Sequence, residues 1–211
     1  MSTNRSGALV EWFYRLRIKA SRILLTILFT GTPGFLASTP LDAATPREDV
    51  QATVEKVLTI LRNDKDGKTE KQLRTVISQR FDFGEMAKRS LGSHWRDLKS
   101  DEQQEFVRLF TDLLADTYID RIREYTNEKV IFTGERRDED YATVESRMVP
   151  RDGKGFSIDY KLHLIGGEWR VYDVVIENVS LVNNYRSQFN RVILNSSYKE
   201  LVRRLEGKLD Q

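Results

Sequence analysis

The sequence predicts an α+β domain in which helices cover the apolar face of a four-stranded antiparallel sheet. Between residues 46 and 125, and again after residue 180, apolar residues recur at intervals of three and four, as along one face of a helix. Between residues 130 and 176 they alternate with polar residues, as in half-buried strands. Short turns join these strands, so the sheet is predicted to be an antiparallel meander with helices packed on one side.

The first 44 residues form a segment of a different kind. Basic residues between Arg15 and Arg22 precede the short apolar run Ile23–Phe29, and small and polar residues follow up to Ala44. This order is typical of a secretory signal peptide, and we expect the mature protein to begin near Thr45. An uncleaved membrane anchor is the alternative, but the apolar stretch falls short of the roughly 20 residues that a bilayer span needs.

Composition and charge limit the functions that the chain can have. The 211 residues include 34 Lys and Arg, 32 Asp and Glu, two His and no Cys. Residues 45–211 hold 29 of the basic and 30 of the acidic residues, which leaves a formal charge of −1. The basic excess therefore lies in the leader and does not indicate a nucleic-acid partner. The absence of Cys excludes disulfides, thiolate metal sites and cysteine nucleophiles.

Four helices are predicted before the sheet. The first begins at Pro46 and ends in the polar turn at 63–67, and a shorter second helix follows. The third is closed by Gly92. The fourth has the strongest pattern, because a capping box that begins at Ser100 precedes an apolar stripe that reaches Tyr125.

Four strands and two further helices complete the domain. The predicted strands are Val130–Phe132, Ala142–Met148, Phe156–Leu164 and Trp169–Ile176. A turn at 151–155 precedes the third strand, and Gly166 and Gly167 form a tight hairpin after it. Ser180 caps the next helix, and Tyr198–Leu209 forms the last one. No second linker or repeat interrupts this part of the chain, so residues 45–211 are predicted to form one domain.

The sequence contains no motif for catalysis or for a metal. His94 and His163 are 69 positions apart, which is not a metal-ligand spacing on one helix. Asp173 stands in an apolar strand and is either a functional buried carboxylate or a hydrogen-bonded structural one. We therefore predict no catalytic residue, no metal ligand and no cofactor, and expect the chain not to be an enzyme.

Several motifs occur in a specific order and spacing. They are Phe81-Asp82-Phe83-x-x-Met86-Ala87-x-x-x-Leu91-Gly92-x-x-Trp95, Glu102-Gln103-x-x-Phe106-x-x-x-Phe110, Leu113-Leu114-x-x-Thr117-Tyr118, Trp169–Val174, Val179–Val182 and Asn184–Phe189. Together they resemble the MlaC family, also known as Ttg2-type toluene-tolerance proteins or auxiliary proteins of ABC transporters. The resemblance runs from about residue 46 to residue 205, essentially the whole mature chain.

The resemblance implies a monomeric periplasmic carrier of phospholipid. Members of the family shuttle lipid between an outer-membrane lipoprotein complex and an inner-membrane ABC transporter, and so maintain the lipid asymmetry of the outer membrane. The implied fold encloses an apolar pocket for two acyl tails and leaves the head group near solvent. A related branch accompanies hopanoid biosynthesis, so a hopanoid or another isoprenoid lipid is an alternative cargo.

The predicted pocket combines the apolar faces of the elements with their position in these motifs. Its predicted lipid-binding residues are Phe83, Phe110, Leu114, Tyr118, Val144, Ile158, Tyr160, Leu162, Val174, Ile176, Val179, Leu181, Tyr185 and Phe189. Two other classes of protein remain open. A filled core would favour a regulator of an envelope transporter that carries no lipid. A cavity with a buried basic carboxylate such as Asp173 would favour an enzyme like those of the nuclear-transport-factor superfamily.

Overall fold

A computed structural model of the chain describes residues 44–63, 69–124, 128–149 and 155–209. The predicted signal peptide, residues 1–44, lies outside these ranges apart from its last residue. Most of the two predicted turns at 63–67 and 151–155, and the predicted helix end at Tyr125, also lie outside them. None of the helices in these ranges combines the length and the hydrophobicity of a transmembrane segment.

The described part of the chain contains six α-helices. They are α1 (Pro46–Arg62), α2 (Thr69–Arg80), α3 (Phe83–Leu91), α4 (Ser100–Glu124), α5 (Leu181–Asn195) and α6 (Tyr198–Leu209), with a 3-10 helix at Gly92–Asp97. Helix α1 begins with a capping box between Thr45 and Glu48, and its first residue is proline. Helix α4 begins at Ser100, so the cap lies one position earlier than the capping box predicts: the Lys99 N–H donates to the Glu102 carboxylate at 2.8 Å. Its 25 residues span about 37 Å.

The sheet is an antiparallel meander, as predicted, but it has five strands instead of four. They are β1 (Lys129–Asp138), β2 (Tyr141–Val149), β3 (Phe156–Ile165), β4 (Glu168–Ile176) and β5 (Val179–Ser180), paired in that order. Glu177 and Asn178 take positive φ values of 48° and 66°, which turn the chain back so that Val179 pairs with Ile176. A strand of two residues shows no alternation, so periodicity could not reveal it.

The first strand is also longer than its apolar residues indicate. The run Val130–Phe132 predicts a strand that ends at Gly134, whereas β1 continues to Asp138 after a bulge between Phe132 and Gly134. The additional residues are mostly charged and exposed, and they lie at the edge of the sheet. Charged side chains protect such an edge against pairing with another chain, so the polar pattern is compatible with a strand there.

Three apolar clusters hold these elements together. The helical core joins α3, α4, α5 and α6, and its buried residues are Met86, Ala87, Leu91, Phe106, Leu109, Phe110, Leu113, Leu114, Val182, Tyr185, Phe189, Leu201 and Leu205. A second cluster packs Val50 of α1 on Val144, Leu162 and Val171 of the sheet. The third joins Leu61, Leu73 and Ile119 of α1, α2 and α4. The clusters meet around a space that none of them fills.

Candidate functional site

That space is a cavity of about 500 Å³ between the sheet and helices α1, α2 and α4. The volume is about three times that of an engineered cavity of roughly 150 Å³ that holds benzene in another protein. It also lies within the range of about 300–1,000 Å³ that is typical of small-molecule sites. The cavity is therefore large enough for an extended apolar ligand.

Helical and strand periodicity make the wall of this cavity apolar. On α1, Val50, Val54, Val57 and Leu61 follow one another at steps of four, three and four, so they lie on one face of the helix. On α4, Leu114, Ala115, Tyr118, Ile119 and Ile122 do the same. Alternate residues of β3 and β4 close the opposite side: Ile158, Tyr160, Val174 and Ile176. Apolar side chains of these elements therefore line the interior of the cavity on several sides.

Two arginines in the wall are paired with carboxylates. The Arg80 guanidinium forms two hydrogen bonds of 2.8 Å to the Asp49 carboxylate and donates to the Trp169 carbonyl at 2.6 Å. It thereby ties α2 to α1 and β4. Arg74 pairs with Glu70, Asp112 and Asp116, and its side chain is 34% exposed. These two guanidinium groups are therefore neutralised beside the cavity, whereas Lys71 also lines it.

The tyrosines of the wall are uncharged at physiological pH. Burial raises the pKa of Tyr160 to about 12. Burial also raises the pKa of Tyr118, and a hydrogen bond with Tyr185 adds to this effect. Both hydroxyls therefore keep their protons, and the cavity presents polar but neutral groups at only a few points.

The structure divides the predicted lipid-binding residues into two sets. Eight of them line the cavity, namely Phe83, Leu114, Tyr118, Ile158, Tyr160, Val174, Ile176 and Leu181. The other six lie outside its lining: Phe110, Val144, Leu162, Val179, Tyr185 and Phe189. Contact of any of these residues with a lipid remains a prediction.

Packing explains why the six residues lie elsewhere. The ring centroids of Tyr185 and Phe189 lie 5.3 and 5.8 Å from that of Phe110, so all three aromatic residues fill the helical core. Val144 and Leu162 are fully buried with Val50 of α1. Val179 belongs to the short strand β5 at the sheet edge. Phe110, Val144, Leu162, Tyr185 and Phe189 are therefore packed against other side chains of the protein instead of lining the cavity.

Helices α1 and α2 supply lining residues that the sequence analysis did not assign to the pocket. Val54, Val57, Leu58 and Leu61 of α1 and Ile77 of α2 all face the cavity. The apolar stripe of α1 is visible in the sequence. The sequence contains no signal that the stripe of α1, instead of the stripe of α5, packs over the face of the sheet that borders the cavity.

Asp173 serves as a structural carboxylate. It is 4% exposed, and it lies on the face of β4 opposite the cavity, because its neighbour Val174 points inward. Its Oδ2 accepts from the Ser180 hydroxyl at 2.6 Å, and its Oδ1 accepts from the Val182 N–H at 3.0 Å. The Lys161 ammonium is 3.9 Å away. These bonds fasten the start of α5 to the sheet and leave no role as a base in the cavity.

Replacement of Asp173 by alanine is expected to lower the free energy of unfolding by about 3 kcal/mol, because the buried Val182 N–H and the Ser180 hydroxyl lose their acceptor. Urea denaturation would measure the change. Asp159→Ala is the matched control on the adjacent strand, where burial and the charge of Glu145 raise the pKa of Asp159. Removal of that carboxylate is expected to cost less than about 0.5 kcal/mol. Equal losses in the two variants would contradict the assigned role of Asp173.

The two histidines form pairs with single polar neighbours. His94 lies 2.9 Å from the side-chain oxygen of Asn190, and His163 lies 3.1 Å from Oδ2 of Asp82. Asp82 also caps α3 through the Glu85 N–H. In the described part of the chain, His, Asp and Glu form no group of three that could hold a metal ion. Both histidines have ordinary structural partners.

Taken together, the α+β fold and the apolar cavity define a small binding protein for an apolar or amphipathic ligand. The family model described as MlaC protein matches residues 51–207, so the chain belongs to the MlaC family. This confirms the family that the motifs indicate.

Named relatives and a solved structure agree with this assignment. The chain is 25% identical over 177 residues to toluene tolerance protein ttg2D of Pseudomonas putida, covering 79% of this chain and 82% of that protein. It is 21% identical over 126 residues to the intermembrane phospholipid transport system binding protein MlaC of Haemophilus influenzae, covering 57% and 59%. A phospholipid-binding protein of Ralstonia solanacearum, solved in complex with a phospholipid, superposes with a TM-score of 0.71 at 26% identity, covering 80% and 100%.

Proposed function

We propose that this protein is a periplasmic carrier that binds phospholipid through its acyl tails and shuttles it between the outer membrane and an inner-membrane ABC transporter. The apolar cavity of about 500 Å³ is the observation that carries this proposal. The structural similarity to a protein solved with a phospholipid supports the class of ligand. The family relationship to a phospholipid transport system binding protein supports the role in transport.

The energetics of lipid transfer explain why a carrier needs such a cavity. Each buried CH₂ group is worth about 0.8 kcal/mol, so one 16-carbon chain costs on the order of 12 kcal/mol to expose to water. Unassisted passage through an aqueous compartment is correspondingly rare. A cavity with apolar walls offsets most of this cost without any catalytic group. The carrier therefore requires shape and apolar area more than reactive side chains.

The leader and the charge support the proposed location. Residues 1–44 act as a signal peptide that exports the chain and is then removed. The remaining domain carries a formal charge of −1, which suits a shuttle that must leave anionic membrane surfaces. The outer-membrane lipoprotein complex and the inner-membrane ABC transporter are its proposed partners.

The geometry does not match what is expected of a regulator that carries no lipid or of an enzyme. A regulator that carries no lipid would be expected to have a filled core, whereas the clusters of this fold surround an open cavity. An enzyme of the nuclear-transport-factor type would need a carboxylate that faces the cavity. Asp173, the candidate base, faces the other way and is held by Ser180 and Val182.

Mass spectrometry of the exported protein tests the proposal directly. The chain is expressed with its own leader and purified from the periplasm without detergent, and intact and denaturing spectra are recorded on one sample. We expect a chain shorter by about 44 residues that releases phospholipid on denaturation. Release of a hopanoid would retain the carrier but change its cargo. A folded, cleaved protein that remains empty after incubation with labelled phospholipid vesicles would overturn the proposal.

A further inference from the structure

A second concave surface lies between α3, the 3-10 helix, β3, β4 and α5. Its volume is about 490 Å³. Its charged lining residues are Lys88, Arg89, Arg96, Lys161, Arg186 and the single carboxylate Asp173. We call this surface the basic groove. Residues 45–211 have a formal charge of only −1, so the groove is a local concentration of positive charge on a nearly neutral domain.

Internal ion pairs neutralise only part of this charge. Glu85 forms ion pairs with both Lys88, at 3.2 Å, and Arg89, at 2.8 Å. Lys161 lies 3.9 Å from Asp173, whose two oxygens already accept other hydrogen bonds. Arg89 also stacks 4.2 Å above the Tyr172 ring.

Two arginines of the groove form no ion pair within the described part of the chain. In the described ranges, Arg96 and Arg186 are exposed and have no carboxylate within ion-pair distance. Gly92 also lines the groove, and a Cβ atom at Gly92 would lie 3.0 Å from Nε of Arg186. The missing side chain keeps space open beside the guanidinium, which remains available to an external anion.

The basic groove and the cavity lie on opposite faces of the sheet. Lys161 and Asp173 are cross-strand partners, and so are their neighbours Tyr160 and Val174. Successive residues of a strand point to opposite faces, and the second pair lines the cavity. A molecule bound in the groove therefore does not compete with a lipid tail for space.

The arrangement of the cations favours an extended acidic partner. They come from four different elements and are accessible to solvent, with Lys88, Arg89 and Lys161 side chains 54%, 37% and 38% exposed. A small anion would need donors that converge on one buried point. A flat membrane surface fits poorly into a concave groove. Several carboxylates along a peptide would provide a partner for each of these separate cations, and a carboxylate matches the planar guanidinium group of an arginine.

We propose that the basic groove docks an acidic segment of a partner protein. The inference rests on the proposed function, because a shuttle must stop at a protein that receives or delivers its cargo. Helices α3 and α5 contribute residues to both sites: other residues of these helices line the basic groove, while Phe83 and Leu181 line the cavity. A docked segment would therefore contact the same helices that border the lipid.

The test uses the purified chain and a short fluorescein-labelled peptide in which Glu and Gly alternate. Fluorescence anisotropy is expected to show saturable binding that weakens as salt is raised from low concentration to about 0.15 M. Arg96→Glu and Arg186→Glu should each weaken binding by about tenfold or more. Arg191→Glu is the matched control, because Arg191 is exposed on the same helix as Arg186 and lies outside the groove. It should change the affinity by less than about twofold.

Four other results of the binding measurements would overturn the docking proposal. Absence of binding to the unaltered chain, or equal loss in all three variants, would show that the groove is not a docking site. Displacement of the peptide by millimolar inorganic phosphate would indicate a small-anion site, and displacement by vesicles of anionic phospholipid would indicate a membrane contact. Bound lipid is measured in the same samples. A chain that binds the peptide at the groove but carries no lipid would overturn the proposed function alone.

Discussion

Replacement of Val57 by glutamate is expected to reduce the phospholipid that co-purifies with the protein by at least about tenfold. Val57 lies half-buried on α1 and lines the cavity. Glutamate is a good helix former, but its carboxylate would stand in an apolar wall and lose its hydration whenever a lipid tail entered. A tenfold loss corresponds to about 1.4 kcal/mol, which is a modest share of the cost of such desolvation. Quantitative lipid mass spectrometry on equal amounts of folded protein would measure the change.

A matched variant separates the cavity from general effects of an added charge. Val76 of α2 is also a half-buried helical valine, but it does not line the cavity. Val76→Glu is therefore expected to retain its lipid. Similar lipid loss in both variants would mean that negative charge near these helices, and not access to the cavity, controls loading. Normal lipid in Val57→Glu would place the acyl tails elsewhere.

Replacement of Phe110 by alanine is expected to destabilise the fold by about 4 kcal/mol, while the bound lipid is retained. Phe110 is fully buried in the helical core and contacts the rings of Phe106, Tyr185 and Phe189 at centroid distances of 6.0, 5.3 and 5.8 Å. Its loss leaves a void in this aromatic cluster, but the cavity wall keeps all its residues. Urea denaturation and lipid analysis on the same preparation would measure the two effects.

Leu194 provides the control for the stability measurement. It is 72% exposed on α5, so Leu194→Ala is expected to change the free energy of unfolding by less than about 0.5 kcal/mol. If Phe110→Ala lost lipid and kept its stability, the sequence-based assignment of Phe110 to the pocket would be correct and the assignment to the helical core wrong. The amount of bound lipid and the free energy of unfolding therefore show together whether Phe110 belongs to the pocket or to the helical core.

Local chemistry in the sequence determined most of the elements and their exposed or buried faces. Ser180 caps α5 by accepting from the Asn183 N–H at 3.0 Å, as its position before an apolar run predicts. Gly166 and Gly167 take positive φ values of 58° and 83° in the predicted hairpin. The alternation of Phe156–Leu164 corresponds to β3. These features depend on neighbours within a few positions, so a single sequence can reveal them. The ordered motifs likewise identified the family.

Tertiary packing decided which of those apolar faces enclose the cavity. The apolar stripes of α5 and α1 have the same helical spacing in the sequence. Nevertheless, Tyr185 and Phe189 pack in the helical core, while Val54 and Val57 line the cavity. The pairing of Lys161 with Asp173, which brings the basic groove together, likewise depends on strand register. Periodicity determines which side of an element is apolar, but the element that covers it is selected by contacts between distant residues. Burial is non-directional, so no local pattern records that choice.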